Sequence, residues 1–121
     1  MQEIFNTPVL IIIFNRLEFS KQILDKVRAV HASKLYIACD GWRENVLGER
    51  EKVQKSRDYF KSNIDWSCDV KYKYLDENLG SGEAVFNAIS WFFQNEKYGI
   101  ILEEDCIPSL PFFSFCEQML F

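Results

Sequence analysis

The sequence has one histidine, no Cys-x-x-Cys pair, and no apolar run longer than Val9 to Phe14. Each shortage removes a class of protein. A run that short does not span a bilayer, which takes about 20 apolar residues. Four cysteines at positions 39, 68, 106 and 116, with no paired spacing and no histidine cluster, argue against a structural zinc site. The first residues lack the basic start, apolar run and small-residue cleavage site of a signal peptide. Buried, reduced thiols and a cytoplasmic location are therefore expected. No P-loop GxxxxGK[ST] occurs, and Gly80-Ser-Gly82 lacks the third glycine of a dinucleotide fingerprint. A net charge of −4 gives no electrostatic reason to expect nucleic acid or an anionic membrane. Internal repeats, linkers and low-complexity segments are also missing.

What is present is one folded domain. The chain has 121 residues, 48% of them apolar and 16% aromatic, enough for a modest core. Val9 to Phe14 is apolar on both faces, as a central strand of a covered sheet must be. Phe19, Ile23, Val27 and Val30 then recur at helical spacing over Glu18 to His31. Leu35 to Cys39 is a second apolar strand, stopping at the turn signal Asp40-Gly41. Glu49 to Lys61 reads as a solvated helix with Val53 and Phe60 facing inward. Val70 to Leu75 alternates, as an edge strand does. Asp76 to Gly82 reads as a loop and Glu83 to Gln94 as a helix. Tyr98 to Leu102 is a fourth strand. Ser109 and Pro111 open a last helix, which holds Phe112 to Leu120.

Strands alternating with helices predict an α/β fold: an open, mostly parallel, Rossmann-like sheet with helices on both faces. The strand order expected is 3-2-1-4, within one domain over residues 1–121. The apolar helical pattern runs to Phe121, so a chain truncated at its carboxyl end is expected. Phe112, Phe113, Phe115 and Phe121 read either as a partner surface or as a face that truncation uncovers.

In such a sheet, ligands bind beyond the carboxyl ends of the strands, where strand order reverses. Four polar groups follow the four strands: Asn15-Arg16, Asp40-Gly41, Asp76-Glu77-Asn78 and Glu103-Glu104-Asp105. All should share one edge, with Asn15 and Arg16 beside the acids. Three adjacent carboxylates repel one another unless a cation offsets the repulsion. Mg2+ or Mn2+ suits such oxygen ligands, and would neutralise a diphosphate leaving group. Alone, Glu-Glu-Asp reads as a solvated loop; at the end of a buried strand it reads as a site. The loop from Asn78 through Gly80 to Gly82 is either a phosphate contact at a helix N-terminus or a plain turn. Asp40 is either a ribose or base acceptor or a turn residue. Arg16 contacts phosphate or pairs with an acid. His31 falls at the opposite end of the first helix, as a surface cation near a helix C-terminus. Histidine-based nucleophilic catalysis is correspondingly disfavoured.

Four blocks carry a resemblance: Thr7 to Arg16, Lys34 to Gly41, Asp76 to Gly80 and Ile101 to Ser109. Together they resemble the amino-terminal half of GT-A-fold glycosyltransferases. The nearest likeness is to bacterial sugar-transferase or haemolysin-like proteins, with a metal motif similar to the Glu-Asp-Asp of N-acetylglucosaminyltransferase I. The resemblance covers nearly the whole chain. It implies that Phe14, Asn15, Arg16 and Asp40 hold the nucleotide, and that Asn78, Gly80 and Gly82 lie near the nucleotide sugar. It also implies that Asp105 binds Mn2+ or Mg2+ and that Glu104 faces the ribose or sugar, beside Glu103. The middle acid is Glu where the motif has Asp, so the contact of Glu104 changes length. The implied partner is a UDP- or GDP-sugar with an acceptor of unspecified kind. The catalytic base and acceptor site would come from a second half beyond Phe121, so residues 1–121 alone are expected to bind nucleotide weakly at best and to lack transferase activity.

Two other readings stand beside this one. A sugar nucleotidyltransferase normally carries a Gly-rich basic loop after the first strand, where this chain has Phe-Asn-Arg-Leu-Glu. A non-catalytic binding or assembly module on the same fold is the third.

Overall fold

The computed structural model describes residues 5–120. Four strands, β1 (Val9–Ile13), β2 (Lys34–Cys39), β3 (Asp69–Tyr74) and β4 (Ile100–Glu103), form one parallel sheet in the order β3-β2-β1-β4. The expected fold and strand order are both observed. Helices α1 (Leu17–Ala29), α2 (Glu49–Asn63), α3 (Ser81–Asn95) and α4 (Leu110–Leu120) alternate with the strands.

The period of two along each strand divides the core. Val9, Ile11, Ile13, Leu35, Ile37, Ile100 and Leu102 face α1, α2 and α4. Leu10, Tyr36 and Ala38 face Ala88 and Phe92 of α3. This is why Val9–Ile13 reads apolar throughout: β1 is central and covered on both sides. β3 is an edge strand, as its alternation predicted. Val70, Tyr72 and Tyr74 pack on the large core, while Lys71 and Lys73 lie on the α3 side.

Several sequence expectations need correction. The Glu49–Lys61 segment is not simply solvated: Glu49, Ser56 and Arg57 are buried. Glu49 goes inside as an ion pair with Arg43, whereas Arg57 has no carboxylate partner among the described residues: its Nη2 donates to backbone carbonyls and its Nε is buried without a hydrogen-bond partner. Asp40-Gly41 is not a turn; the chain runs on without one as far as Arg43. Helix α3 begins at Ser81 rather than Glu83. Gly80 takes φ 88° at the N-cap, which turns the chain straight into the helix. β4 starts at Ile100, where the Ile100 amide donates to the Pro8 carbonyl, and so includes Glu103.

Of the terminal aromatics, Phe113 is buried edge-on against Phe5, with ring centroids 5.5 Å apart. It belongs to the core, not to an uncovered face. Phe115 is exposed, and Phe121 lies outside the described residues. His31 ends α1 with φ 55°, a left-handed helix terminus. No helix among the described residues is long and apolar enough to cross a membrane.

Candidate functional site

The carboxyl ends of the strands open into a cleft of about 520 Å³. Its floor is a row across the sheet fixed by register: Lys73 on β3, Ala38 on β2, Ile12 on β1 and Glu103 on β4. One wall is the first two turns of α3. Gly80, Ala84, Asn87 and Ala88 recur there at helical spacing, and the small side chains leave room. The cleft is wider than a crevice between β1 and β4 alone. It reaches Leu75 and Asn78 beyond β3.

Four charged side chains tie together the loops that rim this cleft. Glu104 reaches from the end of β4 to the end of β1: its Oε2 accepts from the amides of Phe14 at 2.8 Å and Arg16 at 3.3 Å. Asp40 reaches from the end of β2 to the loop beyond β3. Its Oδ1 accepts from the amides of Gly41 and Leu79, both at 2.8 Å. Its Oδ2 accepts from the amide of Gly80 and from Asn78 Nδ2, both at 3.1 Å. Two bonds on each oxygen fill the acceptor capacity of that carboxylate.

Glu49, 2% exposed at the start of α2, accepts from Arg43 Nε at 3.0 Å, Arg43 Nη2 at 2.6 Å and the Arg43 amide at 2.8 Å. It also accepts from Asn15 Nδ2 at 3.4 Å, so it joins the loops after β1 and β2. Arg57, 7% exposed on α2, donates through Nη2 to the carbonyls of Asp40 at 2.9 Å and Leu75 at 2.7 Å. Its guanidinium lies over the rings of Tyr74 and Trp42. Beside it, burial pushes the Cys39 thiol up to about 11, so it stays protonated and unreactive at neutral pH.

The Glu49–Arg43 pair has a pH signature. Hydrogen bonding from Arg43 holds the Glu49 carboxyl below its ordinary 4.5, against the opposing effect of burial. A depressed folded-state pKa adds stability above the ordinary value and loses it as pH falls through the depressed one. Glu49→Gln should therefore cost about 2 kcal/mol at neutral pH. The gap from wild type should close as acid protonates the native carboxyl. Urea titrations at pH 7 and pH 3 would show this; an equal gap at both would contradict it.

Of the residues expected at the site, Phe14, Asn15, Arg16, Asp40, Asn78, Gly80, Glu103, Glu104 and Asp105 all line the cleft. Gly82 does not; it lies in the first turn of α3, where an added Cβ would meet nothing within 4 Å. Arg16 forms no ion pair among the described residues, and its guanidinium sits over the Phe19 ring. Glu103 and Asp105 are exposed, whereas Glu104 is half-buried and spends Oε2 on backbone amides.

Three charged or amide side chains in the cleft lie outside the sequence expectation: Arg43, Lys73 and Asn87. Lys73 was visible in the alternation of β3, and Asn87 in the helical spacing from Gly80. Arg43 had no such signal, because an irregular segment carries it. The side-chain oxygen of Asn87 is buried without a hydrogen-bond partner.

Fold and cleft together define an open parallel α/β domain with a mixed-charge cleft at the strand ends. No protein-family model, curated protein or solved structure matches the chain.

Proposed function

We propose that this chain is the donor-binding part of a metal-dependent glycosyltransferase, holding a UDP- or GDP-sugar in the strand-end cleft. The observation that carries the reading is the composition of one opening. Exposed carboxylates of Glu103 and Asp105 stand at the end of β4, in a cleft shared with Arg16, Arg43 and the start of α3. The volume is within the range of small-molecule and cofactor sites. A nucleoside diphosphate sugar has an anionic middle and polar ends, which suits such a mixed lining.

Metal fit follows from the donor set. No group of three His, Cys, Asp or Glu side chains gathers for a metal among the described residues. An all-protein cage is thus not offered. One or two carboxylates are offered, and Mg2+ or Mn2+ commonly takes only that many, completing its shell with phosphate oxygens and water. Asp105 is the proposed ligand, with Glu103 beside it. The bound ion would supply charge neutralisation for a departing diphosphate.

Two assignments shift. Asp40, with its oxygens saturated, acts by shaping the Asn78–Gly80 loop rather than by binding ribose. Glu104 likewise sets the Phe14–Arg16 backbone, leaving only Oε1 for a ligand. The catalytic base and acceptor are not assigned to any described residue. Four free cysteines support a reducing, cytoplasmic setting.

Calorimetric titration with UDP and with GDP, each with and without Mn2+, tests the reading. We expect Mn2+-dependent binding of one of them. Asp105→Ala should weaken it about tenfold or more, since a lost charged contact is worth about 1.5–3 kcal/mol. Failure of both nucleotides to bind, or Mn2+-dependent binding indifferent to Asp105→Ala, would refute it.

A further inference from the structure

We infer that Arg43, fixed by the buried carboxylate of Glu49, is the cation that takes a phosphate group in the cleft, and that it does so without metal. The choice of a diphosphate as ligand rests on the nucleotide reading above; the geometry of the arginine does not. Two guanidinium nitrogens, Nε and Nη2, are spent on Glu49 in a bidentate pair. Nη1 makes no hydrogen bond among the described residues. The side chain is 53% exposed while that of Glu49 is 1% exposed. One edge of the planar fork is therefore clamped inward, and the other edge, with the free Nη1, remains open at a cleft-lining position.

Arginine suits phosphate because its donors lie in a fixed plane that matches two oxygens. A clamped guanidinium has already lost the rotamer freedom that binding would otherwise remove. Neutralisation by Glu49 is incomplete. That carboxylate is the first residue of α2, and the helix dipole supplies part of its compensation. It also accepts from Asn15. Arg16 and Lys73 line the same cleft, but the former lies over Phe19 and the Nζ of the latter sits 5.9 Å from the Trp91 ring centroid. Neither is held by a buried carboxylate. Arg43 is the cleft cation with a fixed direction.

Inorganic pyrophosphate titrated in the presence of EDTA isolates this contribution from any metal. Wild type should bind it. R43K keeps a positive charge for Glu49 but loses the fork, and should bind pyrophosphate about tenfold more weakly, the loss of roughly one charged hydrogen bond. Its thermal midpoint should fall no further than that of Glu49→Gln, which loses the same bidentate pair, so the titrated protein is folded and the weaker binding reports the lost fork. R43A should bind more weakly still, and R43K serves if R43A does not fold. Pyrophosphate binding unchanged in R43K, or absent from wild type in EDTA, would overturn the assignment. The two readings fail separately. Arg43-dependent pyrophosphate binding with no response to UDP or GDP would sink the nucleotide and keep the phosphate site. Mn2+-dependent UDP binding that ignores R43K would do the reverse.

Discussion

Phe92→Ala should cost about 3–5 kcal/mol of folding stability, the range for truncating a fully buried phenylalanine. Phe92 is 0% exposed on the α3 side of the sheet. Its ring meets Tyr36 edge-on at 4.9 Å and leans on Phe93 at 5.1 Å. Beneath it lies Gly99, where an added Cβ would fall 2.3 Å from Phe92 Cζ. A missing side chain at Gly99 thus makes space for the ring, and removing the ring leaves a cavity floored by backbone, which collapses poorly. The second core cluster is small: Leu10, Tyr36, Ala38 and Ala88 are its other buried members. It is what fastens α3 to β1 and β2, and α3 is a wall of the cleft. The same substitution should therefore weaken pyrophosphate or nucleotide binding while secondary structure on the opposite face persists. Urea denaturation gives the stability, and circular dichroism with a binding titration gives the rest. A loss below about 1.5 kcal/mol would mean that α3 is held by something other than this cluster.

Where the sequence was legible, one physical signal sufficed. Val9–Ile13 had to be central because both its faces are apolar. Val70 to Leu75 had to be an edge because Lys71 and Lys73 interrupt one face. From those two placements and right-handed crossovers, the order β3-β2-β1-β4 follows. The site edge was legible for the same reason, since every strand end is followed by polar residues. Less legible was what those polar residues do. Asp40 and Glu104 stood out as carboxylates at strand ends, yet their oxygens face backbone amides of neighbouring loops. Composition does not distinguish a carboxylate that binds a ligand from one that holds the loop beside it. Only direction in space does. Glu49 and Arg57 were hidden for a different reason: in a charged segment they look like their solvated neighbours, and only their partners Arg43, Asp40 and Leu75 draw them inward.

The four staples also explain why such a cleft is compatible with a modest core. Loops at strand ends carry few apolar contacts, and their entropy would otherwise leave the rim loose. Here every strand-end loop is tied to at least one neighbour: β4 to β1 by Glu104, β1 to β2 by Glu49, and β2 to β3 by Asp40 and Arg57. The exposed residues left over, Glu103 and Asp105 with the outer edge of Arg43, are presented on a rim that is already ordered.

Gly41→Ala should strike that rim directly. Gly41 is buried, and its φ does not lie in the left-handed range, so backbone strain is not the reason for glycine. Space is. A Cβ would sit 2.5 Å from the Glu77 carbonyl carbon, 2.7 Å from its oxygen and 2.8 Å from the Asn78 amide nitrogen. All three are backbone atoms, so no side chain can swing aside. The methyl would push the loop beyond β3 away from β2. It would also stretch the bonds that hold the two together: Asn78 Nδ2 to the Gly41 carbonyl at 2.6 Å, and the Leu79 and Gly80 amides to Asp40. Overpacking alone costs about 1–3 kcal/mol. With two charge-assisted bonds weakened as well, a total of about 3–4 kcal/mol is expected. Because Asp40 would then have free acceptor capacity, Asp40→Ala should add little on the Gly41→Ala background, although it is costly in wild type. A double-mutant cycle in urea measures this coupling. If the two losses simply add, Gly41 and Asp40 do not act on the same contact, and the loop beyond β3 is held in place by other means.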